Sequence, residues 1–176
     1  RRTHIVLDTE SAAPLQRITG RHRAFPVLQL AFELLDDTLR ESTRSGNFFV
    51  RYPETLRDHL GNDETTSILK FSPTLLDTYG YDAVKVLDFL YEQLHEVTAS
   101  GGYLFAHNVA HDIGQIRMTA EMVGYPLRNL RIRAIDTVKT ASNFVPGADD
   151  RWMKLGDLAQ RGGVMVDGTL HRADVD

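Results

Sequence analysis

The chain has no cysteine. Disulfides and thiolate metal sites are therefore excluded, and any bound metal must be held by oxygen or imidazole. A long apolar run is also missing: nothing approaches the roughly 18 residues of a spanning helix. Arg1-Arg2 leads into a strand-like segment and not into a signal-peptide core, so no membrane partner is expected. Excess positive charge is absent as well, with 20 Lys and Arg against 24 Asp and Glu and a formal charge of -4. That balance argues against a broad basic coat for long duplex nucleic acid and leaves room only for a local basic rim. Arg17, Arg21, His22 and Arg23 lie close enough in sequence to form one. Internal repeats, linkers and low-complexity tracts are lacking too. What remains is a chain of 176 residues, enough for one domain that buries roughly 70% of the surface its unfolded form exposes. An intracellular setting, cytoplasmic or nuclear, is the expectation.

The first patterned stretch is His4-Ile5-Val6-Leu7-Asp8-Thr9-Glu10, an apolar run that ends in two carboxylates two residues apart. In an extended strand residues i and i+2 project from one face, roughly 6.5 Å apart. Two acids therefore point into one place. A loop over Ser11–Pro26, broken by Pro14, Gly20 and Pro26, leads to a second strand at Val27–Leu35. Asn47–Tyr52 is a third, rich in aromatic and β-branched types, and the three make an antiparallel meander.

The period then changes. Glu64–Leu69 is a short helix candidate behind Asn62-Asp63. From Asp82 onward Ala83, Leu87, Leu90, Tyr91, Leu94 and Val97 recur at three- and four-residue steps, which predicts an amphipathic helix ended near Ser100-Gly101-Gly102. Tyr103–Ala106 is a short strand that breaks at once into polar His107-Asn108. Ile113, Ile116, Ala120 and Val123 predict the apolar face of a further helix, opened by Asp112. A strand at Leu130–Ile135 closes on Asp136-Thr137, and Leu155, Leu158 and Ala159 mark a last helix. Short apolar strands that end in polar residues are where open α/β sheets build their sites.

Asp8-Thr9-Glu10, then His107-Asn108-Val109-Ala110-His111-Asp112, then His171-Arg172-Ala173-Asp174-Val175-Asp176 stand in an order that resembles the DEDDh group of DnaQ-like 3′-to-5′ exonucleases. Ile135-Asp136-Thr137 and Lys154–Ala159 support the likeness, which spans nearly the whole chain. The resemblance implies an α/β, ribonuclease-H-like mixed sheet of about five strands, three antiparallel and then parallel, flanked by helices. It implies a metal-dependent exonuclease that releases nucleoside 5′-monophosphates from a 3′ end with two divalent ions, Mg²⁺ or Mn²⁺. Four carboxylates and no thiol suit those ions independently.

Carried over residue by residue, Asp8, Glu10, Asp112 and Asp176 become the metal ligands, with Asp8 bridging both ions and Asp112 holding the second. His171 becomes the general base. Thr9, Ser11 and Asn108 border the pocket for the terminal nucleotide, and Phe25, Phe71, Tyr79 and Phe144 are the aromatics available for stacking. The implied partner is single-stranded or 3′-terminal nucleic acid, DNA or RNA, with a second copy of the chain or a polymerase as candidate protein partner. The alternative is a catalytically weak end-binding or polymerase-associated proofreading module of the same fold.

Three departures from the family pattern stand out. Ser11-Ala12 replaces the common threonine-glycine after the first motif. His111 occupies a position usually aromatic, where packing is the expected role. The chain stops at Asp176, where relatives continue into a helix, so the reading is a single exonuclease domain over 1–176, truncated just after its last motif.

Overall fold

The computed structural model describes residues 1–12, 26–60, 73–126, 129, 131–143, 145 and 153–165. β1 (His4–Ser11) alternates fully buried Ile5 and Leu7 with exposed Val6, the period-two signature of a strand covered on one face. β2 (Val27–Leu35) is apolar at nearly every position and buried at most of them, as a strand covered on both faces is. It pairs antiparallel with β1, Asp8 opposite Ala31 and Glu10 opposite Gln29, and with β3 (Ser42–Arg51) on its other side. β3 begins five residues earlier than the aromatic run indicates: the polar residues from Ser42 are recruited by backbone pairing with β2 and stay exposed.

Asp36 shapes the turn between β2 and β3, accepting from the Thr38 hydroxyl at 2.7 Å and from the Thr38 amide at 3.1 Å. These bonds, the hydroxyl's first, hold its carboxyl below the usual carboxylate range. A depressed pKa contributes stability above the unfolded-state value that is lost as the pH falls through the folded value. Asp36→Ala is therefore expected to be less stable than the parent chain at neutral pH and equally stable in strong acid. Urea melts across that range check it, and a gap that ignores pH would exclude the role.

After a 3-10 turn at Glu54–His59, α1 (Pro73–Tyr79) leads into β4 (Tyr81–Asp82), a two-residue strand parallel to the end of β3. α2 (Ala83–Ser100) starts where Asp82 accepts from the amides of Val84 and Lys85, and it ends at Gly101 in the left-handed region. Its six expected core residues are all buried, joined by Val86 and Gln93. Leu90 has no exposed surface, so Leu90→Ala is expected to cost about 3 kcal/mol through lost transfer energy plus a cavity. Chemical denaturation measures this, and a cost under about 1 kcal/mol would mean the site collapses onto itself. Gly102 has no substitute, since a Cβ there would fall 1.8 Å from the Thr3 carbonyl oxygen.

β5 (Tyr103–Ala106) then runs parallel to β1, with Val6 opposite Phe105. α3 (Val109–Met122) crosses to β6 (Arg133–Asp136), parallel to β5, followed by short α4 (Thr137–Thr140) and by α5 (Leu155–Arg161). The result is a six-stranded mixed sheet in the order β4-β3-β2-β1-β5-β6. The strand beyond the expected five is β4, too short to carry a periodic signal. β6 starts later than the Leu130 start expected from sequence, and the helix expected at 64–69 lies outside the described residues. Among the described residues no helix is long and apolar enough to cross a membrane.

Candidate active site

Parallel pairing puts the carboxyl ends of β1, β5 and β6 at one edge of the sheet, with Val6, Phe105 and Ile135 level across the three strands. Asp8, His107 and Thr137 each stand two residues further on. Strand alternation places half-buried Asp8 and Glu10 on one face and buried Thr9 on the other, where it follows Ile5 and Leu7. The pair of acids therefore shares a face, as the strand reading requires.

Asp112 comes to this strand end from α3. The helix opens three residues earlier than expected, at Val109, so Asp112 is in the first turn and is not its cap. Asn108 takes the cap position with φ 67°, in the left-handed region that asparagine tolerates better than most residues, and its side chain makes no capping bond. Asp112 Oδ1 instead accepts from the Thr9 amide at 3.0 Å and from the Thr9 hydroxyl at 2.7 Å, across 103 residues of sequence. This docks a carboxylate against the residue between Asp8 and Glu10.

Asp112 is 2% exposed. Burial raises its carboxyl to about 6, the Thr9 bonds pull the other way, and the Asp136 charge adds to the rise. Among the described residues the salt bridge found is Arg44 with Glu96, on the surface and away from this edge. Among the described residues Asp112 has no basic partner, and a desolvated carboxyl of that kind fits a site whose compensating charge is a bound cation. Among the described residues, however, no three histidine or acidic side chains stand together closely enough to hold an ion. Asp8, Glu10 and Asp112, all described, therefore do not by themselves close an ion site in this structure; the fourth expected ligand, Asp176, lies outside the described residues together with His171, the Arg17, Arg21, His22 and Arg23 rim, and Phe25, Phe71 and Phe144.

The junction after β5 is held by β6 and α4. Asp136, 8% exposed, accepts from the Asn108 amide at 3.0 Å and from the Val138 amide at 3.1 Å. His107 Nε2 donates to the Met153 carbonyl at 2.7 Å, since a carbonyl only accepts, while Nδ1 meets the Thr137 hydroxyl at 2.9 Å. The turn that carries Asn108 is thus fastened at both ends.

Of the residues expected to border a substrate, Thr9 has its hydroxyl committed inward, and Ser11 and Asn108 are half-buried at the edge. Tyr79 is exposed beside β4, with two strands between β4 and β1, and so stands apart from this edge. His111 is solvent-exposed, not packed as expected, and its Nε2 lies 2.6 Å from Gln115 Nε2. Contact with the protein on one side disfavours its charged form and lowers its pKa.

Gln115 was not among the residues expected at this edge. Its Oε1 lies 2.5 Å from the Thr9 hydroxyl and its Nε2 lies 2.8 Å from Ser11 Oγ. Thr119, one turn on, donates to the Gln115 carbonyl and accepts from the Val27 amide. Asp112, Gln115 and Thr119 are spaced by three and four, the helical step, and form a buried polar stripe beside Ile116 and Ala120. The spacing is visible in the sequence; its burial is not.

A sequence comparison with curated proteins found no match. Solved structures share the fold at low identity. E. coli exonuclease I in complex with a dT13 oligonucleotide aligns over 100% of this chain and 39% of its own, at 15% identity and TM-score 0.73. Exonuclease I of Methylocaldum szegediense aligns over 99% and 38%, at 16% and 0.69. The present chain thus spans about two fifths of the length of these exonuclease I chains. The nuclease domain of 3′hExo, a DEDDh family member bound to rAMP, aligns over 98% and 84%, at 14% and 0.75. The sequence profile of the exonuclease family, RNase T type, matches residues 5–176. With that match covering nearly the whole chain, the chain belongs to the RNase T exonuclease family, and its mixed sheet has the fold of the DEDDh nuclease domain it aligns with.

Proposed function

We propose that the chain is a metal-dependent 3′-to-5′ exonuclease that acts on a single-stranded or 3′-terminal end of DNA or RNA, with residues 1–176 as its exonuclease domain. The observation that carries this reading is the docking of the Asp112 carboxylate onto Thr9, between Asp8 and Glu10, at the carboxyl edge of the sheet. The kinship with oligonucleotide- and nucleotide-bound nucleases supports the substrate class.

Asp8, Glu10, Asp112 and Asp176 are the residues that would hold two divalent ions, Mg²⁺ or Mn²⁺. Such ions, when bound, stabilise charge at the phosphoryl centre and on the leaving oxygen. His171 takes a proton from the attacking water. An imidazole with an ordinary pKa of about 6.5 suits that task near neutral pH. The water oxygen bonds to phosphorus, the bond to the 3′ oxygen of the preceding nucleotide breaks, and that oxygen is protonated from solvent. A nucleoside 5′-monophosphate leaves and a new 3′ hydroxyl remains. Ser11 and Asn108 border the terminal nucleotide.

The test is a pair of oligonucleotides, labelled at the 3′ or the 5′ end and made as DNA and as RNA, incubated with Mg²⁺, Mn²⁺ or chelator. The 3′-labelled strands should release labelled mononucleotide at once, and the 5′-labelled strands should shorten stepwise, only with metal. Binding without shortening in every metal condition would favour the end-binding module instead.

A further inference from the structure

Gln115 has no exposed surface, and its amide reaches three partners: Thr9 and Ser11 on the β1 end, and His111 one turn earlier on α3. A buried amide must be satisfied, or its desolvation destabilises the fold. Counting donors shows what it is satisfied by. The Thr9 hydroxyl lies 2.7 Å from Asp112 Oδ1 and 2.5 Å from Gln115 Oε1 but carries one proton. An ionised carboxylate only accepts, so a charged Asp112 takes that proton. Gln115 must then donate to Thr9, which a half-turn of the amide allows, since its oxygen and nitrogen occupy equivalent places. The amide oxygen then faces Ser11 Oγ and His111 Nε2, both able to donate, and no two acceptors face each other along the chain of bonds.

We infer that Gln115 is a positioning residue: its buried amide directs the Thr9 hydroxyl onto Asp112 and ties the Thr9–Ser11 strand end to α3. This rests on the proposed role of Asp112 in holding a metal ion. Two of the places where the chain departs from the family pattern, Ser11 after the first motif and His111 before Asp112, are the two other partners of this amide. The departures are therefore one network. Gln115 touches no substrate in this account; it acts through Thr9 and Asp112.

Gln115→Met keeps the volume and removes the donor and the acceptor, while Thr9→Val keeps the shape and removes the hydroxyl. Mn²⁺ binding to the whole 176-residue chain is measured by calorimetry, alongside kcat and KM on a 3′-labelled oligonucleotide. Each variant should weaken Mn²⁺ binding about tenfold and lower kcat about tenfold, the loss expected for one buried hydrogen bond, with KM nearly unchanged. The double variant should be no worse than the worse single one, because both changes cut the same path. Wild-type Mn²⁺ binding in Gln115→Met, or a double variant whose losses multiply, would overturn the assignment whatever the oligonucleotide assay gives. A parent chain that binds Mn²⁺ yet leaves every oligonucleotide intact would overturn the nuclease reading alone.

Discussion

Asp8→Asn is expected to lower metal-dependent mononucleotide release by a factor on the order of 10³ or more, about 4 kcal/mol of transition-state stabilisation. The substitution keeps the volume and the planar end group and removes the charge. Asp8 sits at the end of β1, paired through its backbone with Ala31, and shares a strand face with Glu10. The backbone pairing does not depend on the carboxylate, so the variant should fold. In the proposed site Asp8 would hold the ions together with Glu10, Asp112 and Asp176, and as the ligand that the family resemblance assigns to both ions it would have no substitute among the other three. Initial rates on a 3′-labelled strand, taken across a Mg²⁺ titration, measure the loss. A variant that reaches the parent rate at saturating metal would remove Asp8 from the bridging role.

The second large effect is expected at His171, which is proposed to take the proton from the attacking water. Removing a general base costs typically 10²- to 10⁴-fold, and His171→Ala should fall in that range. Since imidazole is not among the proposed ligands, Mn²⁺ affinity should change little. That split separates a base from a ligand: a ligand variant loses both binding and turnover, a base variant turnover alone. Rates and calorimetric Mn²⁺ binding on the same preparation check it. Unchanged turnover would refute the assignment, and a parallel loss of Mn²⁺ affinity would move His171 into the metal set.

Elements with a strong period were legible before the fold was seen. β2 spans Val27–Leu35 as its apolar run indicates, and α2 buries the six residues that its three- and four-residue steps select. Elements without a period were not. β4 is two residues long and exists because the turn after α1 brings Tyr81 beside Val50. β3 extends back to exposed Ser42 because β2 offers it a partner strand. Propensity is local, whereas a strand is completed by its neighbour.

The sequence by itself determined the family, which the profile match over residues 5–176 shows. It also determined that two acids share one face of β1, because alternation in a strand leaves no other arrangement. Tertiary structure alone decided where Asp112 goes. The residue that reads as a helix cap lies inside the first turn and spends its carboxylate on Thr9. Only the fold decided, too, that the polar stripe of α3 faces inward. Ile113, Ile116, Ala120 and Val123 pack in or against the core as their spacing indicates, and the buried positions of α3 also include Asp112, Gln115 and Thr119. A polar side chain can be buried only where partners from distant strands meet it. Those partners, Thr9, Ser11 and the Val27 amide, are 92 to 104 residues away in sequence, beyond the reach of any local pattern.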